Sequence, residues 1–317
     1  MTRRAGAIAG PFVPSRNPIG ADYTAGVATR PSPDPAVEQR WTGPLGTEIH
    51  LWRVRLDARG SSFDYLLGVL SDQERDRARR FRFERLQQQF TIAHGALRVL
   101  LGRYLAVAPE RLRFDEGPHG KPQLAEVSAS HGPAEAGRHR SSRDLDEAGL
   151  HASIRFNLSH SDDLAVVAVA ADRDVGVDIE ALRPVPEIEE IARRYFSDRE
   201  AIELLQSAGD ARERNFFRIW TRKEAFIKAI GEGLSCPLDS FAVSFDREDA
   251  ARVVELRGDA DAARAWQLHA FEPAPGYAGA LAYRGDRLRL RIFAPLDGDA
   301  LIKTVAEDAL PRAQENR

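Results

Sequence analysis

Two acidic residues, Asp178 and Glu180, alternate with apolar ones in the segment 175–180, Val-Gly-Val-Asp-Ile-Glu. Successive side chains of a strand point to opposite faces, so this pattern places both carboxylates on one face and the intervening isoleucine in the core. Taken alone, such a pair is also typical of a solvated sheet face. A chemical role therefore requires further groups that meet these carboxylates.

A second charged pair, Glu224 and Lys228, lies in the segment 220–228, Trp-Thr-Arg-Lys-Glu-Ala-Phe-Ile-Lys. Residues four apart share one helix face, and on a surface such a pair contributes only ~0.3 to 0.5 kcal/mol. This helix is largely apolar, however, and a charge pair in apolar surroundings needs partners. We expect Glu224 and Lys228 to meet Asp178 and Glu180.

Three carboxylates that converge repel one another unless a hard cation lies between them, and a cation held in this way can bind phosphate oxygens. The hypothesis is phosphoryl chemistry assisted by Mg²⁺, with Mn²⁺ as the alternative cation.

The composition is that of an ordinary globular protein. The 317 residues are 43% hydrophobic and carry a net charge of -3, so any anion site must be local. The single cysteine, Cys236, excludes an internal disulfide and a cysteine metal cluster and fits a reducing cytosol. Because no apolar run approaches the ~20 residues that a bilayer requires, we predict a cytoplasmic protein without membrane association.

Hydrophobic periodicity predicts an α+β fold with two similar halves, each ordered as strand, helices and strands. Alternation predicts strands at 49–56, 154–158, 164–170, 175–180, 241–245, 266–271, 279–283 and 288–293, the last four forming a second sheet. Helical spacing and caps predict helices from Ser71 to about Arg85 and at 90–105, 186–195, 198–206 and 210–230. Residues 159–163 are expected to form the turn of a hairpin.

The predicted domain layout has four parts. Residues 1–44, rich in Gly, Pro, Arg and Ala, predict a disordered extension. An N-terminal α+β half follows at 45–172, with a mobile insertion at 125–152. A C-terminal half at 173–296 and a tail at 297–317 complete the chain.

Two further segments could bind phosphate. His160, in the segment Asn-Leu-Ser-His-Ser, is either a structural residue of a hairpin or a donor to phosphate. The segment 117–122, Gly-Pro-His-Gly-Lys-Pro, lacks the spacing of a nucleotide-binding P-loop, although its turn could bring Lys121 to a ligand. Residues 71–113 contain ten arginines and five acids, which fits either phosphate recognition or an ordinary charged helix face.

The motifs together resemble the 4'-phosphopantetheinyl transferases of the surfactin-synthetase-activating type. The resemblance spans about residues 49 to 290. In chain order, its motifs are Arg-Arg-Phe (79–81), Gly-Lys-Pro (120–122), Phe-Asn-Leu-Ser-His-Ser (156–161), Gly-Val-Asp-Ile-Glu (176–180), Phe-Ser-Asp-Arg-Glu (196–200) and Trp-Thr-Arg-Lys-Glu-Ala-Phe-Ile-Lys (220–228).

The resemblance implies a pseudo-dimer of two α+β halves with coenzyme A in the cleft between them. It implies that the phosphopantetheine arm of coenzyme A passes to a serine of an apo acyl or peptidyl carrier protein, releasing adenosine 3',5'-bisphosphate. The size argues for a monomer that contains both halves. The carrier protein, and the fatty acid, polyketide or peptide pathway that it serves, are not identified by any motif.

The resemblance also assigns roles to individual residues. Asp178, Glu180 and Glu224 match the acidic metal-binding positions. Glu224 also matches the favoured base for the incoming serine, acting directly or through a metal-bound water, and the sequence does not separate these two routes. The residues that match coenzyme A contacts are Arg77, Arg80, Lys121, Pro122, Ser159, His160 and Lys228. Gln87, Gln88, Gln89 and His94 stand where relatives often carry further basic residues, which leaves the 3'-phosphate contacts open.

Two alternatives belong to other functional classes. A non-catalytic coenzyme A or nucleotide-binding module would bind the ligand and leave its pantetheine arm intact. A nucleic-acid-binding protein would use the arginines of residues 71–113, but they are not interleaved with a set of stacking aromatic residues. We therefore expect no nucleic-acid partner.

Overall fold

The computed structural model describes residues 45, 47–117, 119–125, 154–245 and 251–309, which form an α+β protein. The predicted extension at 1–44 and nearly all of the predicted insertion at 125–152 lie outside the described residues. None of the described helices has the length and apolarity needed to cross a bilayer.

The helices are α1 (Gly60–Gly68), α2 (Asp72–Arg79), α3 (Glu84–Leu105), α4 (Ile188–Tyr195), α5 (Asp198–Gln206), α6 (Asp210–Ile230), α7 (Ala260–Arg264) and α8 (Gly298–Ala309). The strands are β1 (Glu48–Arg55), β2 (Phe114–Glu116), β3 (Pro122–Leu124), β4 (Ile154–Ser161), β5 (Leu164–Ala171), β6 (Val175–Ala181), β7 (Phe241–Val243), β8 (Val253–Leu256), β9 (Trp266–Phe271), β10 (Tyr277–Arg284) and β11 (Arg289–Ile292).

The first large sheet has the order β11-β1-β5-β4, in which only the β11-β1 pair is parallel. One face of this sheet packs against α3, whose buried residues include Ile92, Leu97 and Leu100. Alternate side chains of β1 and β5 point to this face and to the opposite face of the sheet, and both sets are buried.

The second large sheet is antiparallel and has the order β6-β10-β9. Helix α6 packs against it through Phe226 and Ala229, among others. A third apolar cluster joins the two sheets, with Leu51 and Val166 from the first and Val177 from the second. Strands β4 and β6, at the edges of their sheets, lie beside each other in this arrangement.

Local sequence signals set the helix starts. The side-chain oxygens of Ser71 and Ser197 each accept a hydrogen bond from the backbone N–H three residues later. The glutamate at that position, Glu74 or Glu200, accepts a hydrogen bond from the backbone N–H of the serine. Both helices therefore begin with a capping box. Gly231 ends α6 in the left-handed region at φ 79°. The predicted helices at 198–206 and 210–230 are confirmed with these bounds.

The prediction of one helix from Ser71 to about Arg85 is wrong. Helix α2 ends at Arg79, and α3 begins at Glu84 after an extended Phe83. The break turns Phe81 onto Phe90, at 5.5 Å between ring centroids. Helices α1, α7 and α8 and strands β2, β3 and β8 were not predicted.

Two predictions about strands are also wrong. The β4-β5 hairpin has a tight turn at Asp162 and Asp163, so residues 159–161 belong to β4 rather than to the turn. The strands predicted at 241–245 and 288–293 do not belong to the second sheet, because β7 pairs with β8 in a separate two-stranded sheet and β11 pairs with β1 of the first sheet. Phe293 then stacks on Trp52 of β1, at 3.7 Å between ring centroids.

The C-terminal helix α8 contacts α1 and α3. The division of the chain into halves at 45–172 and 173–296 stays a prediction.

Candidate active site

Strand β6 carries Asp178 and Glu180 on the face opposite the core between the sheets. Val177 and Ile179 are almost completely buried in that core. The two carboxylates therefore face the side of the sheet on which α6 packs. Asp178 is itself 5% exposed, so this is a buried site and not a solvated sheet face.

A glycine lets α6 approach the strand closely. A Cβ atom at Gly176 would lie 2.1 Å from the carbonyl oxygen of Ala225. No side chain fits in that space, and the helix backbone rests directly on β6. This approach brings Glu224 and Lys228, one turn apart on α6, to the carboxylates of the strand.

Lys228 and Asp178 form the centre of the site. The Nζ atom of Lys228 donates to Oδ1 of Asp178 at 2.6 Å and to Oγ of Ser159 and the carbonyl oxygen of Val177, both at 3.3 Å. Ser159 in turn donates to Oδ1 of Asp178 at 3.0 Å. Residues from β4, β6 and α6 thus meet at one carboxylate oxygen.

The charges at this centre are coupled. Burial raises the pKa of Asp178 to about 7; the charge of Lys228 opposes this shift, and Glu224 and Glu180 add to it. Burial and Glu180 likewise raise the pKa of Glu224. Burial disfavours the ammonium ion of Lys228, but Asp178 and Glu224 outweigh it and raise the pKa of Lys228. The three acids and the lysine share one electrostatic environment.

Glu180 is held by two donors. Its Oε2 atom accepts from Oγ of Ser161 at 2.8 Å and from Nη1 of Arg183 at 3.1 Å. Arg183 also lies over the ring of Phe217, 5.3 Å from its centroid. Glu180 is therefore fixed beside Asp178 by a strand neighbour and by the loop that follows β6.

The fit of a divalent cation can be tested at Asp178. Its second oxygen, Oδ2, is buried and has no hydrogen-bond partner among the described residues, which is costly unless a cation or another donor reaches it. Carboxylate oxygens are the ligands that Mg²⁺ prefers. Within the described residues, however, no three His, Cys, Asp or Glu side chains are already placed to hold a metal ion. The donor chemistry fits Mg²⁺, and the assignment of Asp178, Glu180 and Glu224 as ligands stays a prediction.

Lys121 reaches the same strand from the loop that precedes β3. Its Nζ atom donates to the carbonyl oxygen of Val175 at 3.0 Å and lies 3.9 Å from Asp174. Burial lowers the pKa of Lys121, and Asp174 partly offsets this shift. Lys121 and Lys228 thus bind carbonyl groups two residues apart on β6. Pro122, the other predicted contact of this loop, is the first residue of β3.

His160 lies on the opposite face of β4 from Ser159 and near His94 of α3. Burial lowers the pKa of His160 to about 4, and the charges of His94 and Lys228 add to this shift. His94 stacks on Phe90 at 3.9 Å, and the guanidinium of Arg77 lies 5.6 Å from the centre of the same ring. Arg77, His94 and His160 therefore border one region. Arg77 and Arg80 are both exposed, and Arg80 follows the last residue of α2.

Three residues that form hydrogen bonds around the candidate site were not among the predicted site residues. They are Asn157, Ser161 and Glu74. Asn157 and Ser161 alternate with Leu158 and His160, and this period of two is the signal that could have identified them once 159–161 was assigned to a strand. Glu74 belongs to the capping box of α2, and its contacts with Arg98 and His94 arise from the packing of α2 on α3.

Comparisons with known proteins identify relatives of this chain. The family model described as the 4'-phosphopantetheinyl transferase superfamily matches residues 174–282. The 4'-phosphopantetheinyl transferase HetI of Nostoc sp. is 37% identical over 242 residues, which cover 76% of this chain and 90% of HetI. The 4'-phosphopantetheinyl transferase Sfp of Bacillus subtilis is 28% identical over 211 residues, which cover 67% of this chain and 80% of Sfp. A solved ACPS–CoA complex from Chronobacterium ammoniagenes is 23% identical, with a TM-score of 0.26, and the match covers 36% of this chain and 98% of that one.

Proposed function

This chain belongs to the 4'-phosphopantetheinyl transferase superfamily, and we propose that it transfers the 4'-phosphopantetheine arm of coenzyme A to a serine of an apo carrier protein. The products are the holo carrier protein and adenosine 3',5'-bisphosphate. The observation that carries this proposal is the buried centre at which Lys228 meets Asp178, with Glu224 and Glu180 in the same electrostatic environment.

The transfer breaks the phosphoanhydride bond of the coenzyme A pyrophosphate and forms a phosphate ester bond to serine. The serine oxygen of the carrier protein attacks the β-phosphorus of coenzyme A, and the bond from that phosphorus to the bridging oxygen of the pyrophosphate breaks. The electron pair leaves with adenosine 3',5'-bisphosphate. The proton of the serine hydroxyl passes to a base, for which Glu224 is the candidate, since its raised pKa favours proton uptake.

Lys228 is the proposed cationic contact of the pyrophosphate. Its side chain is 28% exposed beside Asp178, so its positive charge lies where a bound pyrophosphate can reach it. A cation placed where negative charge develops stabilises the transition state more than the ground state. His160 and Lys121 are proposed to contact the phosphates, and Ser159, whose single hydrogen is donated to Asp178, is proposed to lie beside that contact.

Asp178, Glu180 and Glu224 are the residues that would hold Mg²⁺, or Mn²⁺ in its place. The bound cation neutralises charge on the pyrophosphate oxygens. The orphaned Oδ2 of Asp178 supports this assignment. Arg77, Arg80 and Pro122 are proposed to line the nucleotide end of the coenzyme A site.

The remaining parts of the proposal concern the cellular context. We propose a cytoplasmic monomer that meets its acyl or peptidyl carrier protein there. The lone buried cysteine fits that compartment.

Intact-mass analysis tests the function directly. The protein is incubated with coenzyme A, Mg²⁺ and several apo carrier proteins, and the mass of one phosphopantetheine arm is expected on a carrier. Chelation of Mg²⁺ with EDTA should stop the transfer, and added Mg²⁺ should restore it. A protein that binds coenzyme A but leaves it intact with every carrier would instead be the non-catalytic binding module.

Variants separate catalysis from folding in the same assay. Glu224→Gln and Asp178→Ala are each expected to abolish transfer while circular dichroism stays unchanged. Glu203→Gln is the matched control, because Glu203 forms an exposed ion pair with Arg199 on α5. Full activity of Glu224→Gln would refute the role of Glu224.

A further inference from the structure

Strand β6 has one edge that is not paired with any of the described strands. It pairs with β10 along one side only, in a register that runs from Val175 opposite Tyr283 to Ala181 opposite Tyr277. In an antiparallel pair, alternate residues direct their N–H groups away from the partner strand. The N–H groups of Val177, Ile179 and Ala181 therefore point to the open edge, where buried donors need acceptors.

Three side chains of β4 accept these hydrogen bonds. Oδ1 of Asn157 accepts from Val177 N–H at 2.8 Å. Oγ of Ser159 accepts from Ile179 N–H at 3.3 Å, and Oγ of Ser161 accepts from Ala181 N–H at 3.1 Å. Both strands advance by two residues per contact, so a ladder of side chains joins the edges of the two sheets.

The serine contacts of this ladder also hold the acidic residues. A hydroxyl group has a single hydrogen to donate. Because each serine oxygen accepts from the backbone, its own hydrogen is free for a second partner, and that partner is a carboxylate. Ser159 donates to Asp178 at 3.0 Å, and Ser161 donates to Glu180 at 2.8 Å. Asn157 accepts its backbone bond without contacting a carboxylate through any described hydrogen bond.

We propose that Ser161 is a positioning residue that fixes the Glu180 carboxylate for divalent-cation binding, and that Ser159 does the same for Asp178. This inference rests on the proposed function, since it concerns the same carboxylates. Ser161 acts through Glu180. The backbone bond from Ala181 fixes the serine hydroxyl, and the hydroxyl fixes the carboxylate, so the orientation of the acid is set by the edge of β6 itself.

Loss of the Ser161 hydroxyl leaves Arg183 as the remaining described donor to Glu180. Arg183 lies in the loop after β6 and is 41% exposed, so it would draw the carboxylate away from Asp178 and toward solvent. Loss of a group that orients a metal ligand typically weakens metal affinity or activity by about 10- to 100-fold. Loss of the hydroxyl should therefore weaken cation binding more than it lowers the stability of the fold.

Binding of Mn²⁺ measures this effect without turnover. The electron paramagnetic resonance signal of free Mn²⁺ is followed as protein and coenzyme A are added, with no carrier present. We expect Ser161→Ala to weaken Mn²⁺ binding by about 10-fold or more. Ser161→Thr, which keeps a hydroxyl at the same position, should bind as the unmodified protein does.

Asn157→Ala is the matched control, since it removes a ladder contact that holds no carboxylate. It should lower the melting temperature at least as much as Ser161→Ala but leave Mn²⁺ affinity unchanged. Equal losses of Mn²⁺ affinity in the two variants would mean that the ladder is purely structural and would overturn the proposal. So would unchanged affinity in Ser161→Ala, or absence of Mn²⁺ binding by the unmodified protein.

The outcome is separable from that of the proposed function. If the unmodified protein binds Mn²⁺ and Ser161→Ala does not, the positioning role stands even when no carrier protein is modified. Failure of transfer with every apo carrier, with Mn²⁺ binding retained, would count against the transferase proposal alone.

Discussion

The ammonium group of Lys228 lies 2.6 Å from Oδ1 of Asp178, although the two residues are 50 positions apart in the chain. Within the part of the chain that the structure describes, the second oxygen of the same carboxylate has no hydrogen-bond partner. Lys228 thus neutralises charge at Oδ1 of Asp178, and Oδ2 is available to a positively charged ligand. This asymmetry is what a site shared between a cation and a phosphate requires.

Replacement of Lys228 should impair transfer more than folding. In Lys228→Met, the charge that lowers the pKa of Asp178 is lost, so that pKa rises above about 7 and the carboxyl group becomes protonated at neutral pH. Because the variant also lacks the cation at the pyrophosphate, we expect its rate of transfer to fall by about 10²- to 10³-fold. Single-turnover intact-mass kinetics measure it, with Lys303→Met, at an exposed position on α8, as control. Equal rates in the two variants would contradict the assigned role.

The buried ion pair between Glu200 of α5 and Lys223 of α6 should make a large contribution to the free energy of unfolding. The pair is 2.8 Å apart, and both side chains are almost fully buried. Glu200 also accepts from Val243 N–H at 2.7 Å. Glu200→Gln leaves an uncompensated buried ammonium and should lower the free energy of unfolding by about 3 kcal/mol.

Its control lies three residues away on the same helix. Glu203→Gln breaks an exposed ion pair and should cost about 0.5 kcal/mol or less. Urea unfolding of both variants distinguishes them. A cost for Glu200→Gln as small as that of Glu203→Gln would show that the pair does not stabilise the fold.

Gly176 should not tolerate a side chain. A methyl group there meets the backbone of α6 at 2.1 Å, and neither the strand nor the helix can move without losing the contact that forms the site. Gly176→Ala should lower the free energy of unfolding by about 3 kcal/mol or prevent folding. Gly68→Ala, at the end of α1 with no atom within 4 Å of the added methyl, should be neutral or slightly stabilising. Thermal melting of both proteins gives the comparison.

Glu74 should make stability depend on pH in the acid range. Burial alone would raise its pKa, but hydrogen bonds from His94 and Ser71 and the charge of Arg98 outweigh burial and lower the pKa to about 2 from 4.5. A depressed folded-state pKa contributes stability that is complete above pH 4.5 and is lost as the pH falls toward 2. The shift corresponds to roughly 3 kcal/mol at neutral pH.

Unfolding measured between pH 7 and pH 2.5 tests this linkage. Glu74→Gln should be destabilised at pH 7, and its difference from the unmodified protein should shrink as the pH falls below 4.5. Asp72→Asn, at an almost fully exposed position on the same helix, should show a small difference throughout. A constant deficit for Glu74→Gln would assign its effect to the capping box and not to the charge.

Much of the site could be predicted because its signals are local. The alternation in 175–180 places Asp178 and Glu180 on one face whatever β6 pairs with, and the four-residue spacing puts Glu224 and Lys228 on one side of α6. Capping boxes at Ser71 and Ser197 depend on residues three apart. Such features follow from backbone geometry, which neighbouring residues determine.

Contacts between distant segments required the tertiary structure. The pairing of β11 with β1, the extension of β4 through Ser161 and the burial of Lys223 against Glu200 each depend on which surfaces pack together. Local sequence patterns thus indicate which side chains could act in catalysis or binding and which helix or strand carries each one. Only the tertiary structure decided that the edge of β6 is completed by side chains of β4, because a buried strand edge must satisfy its N–H groups with whatever acceptors the fold places beside it.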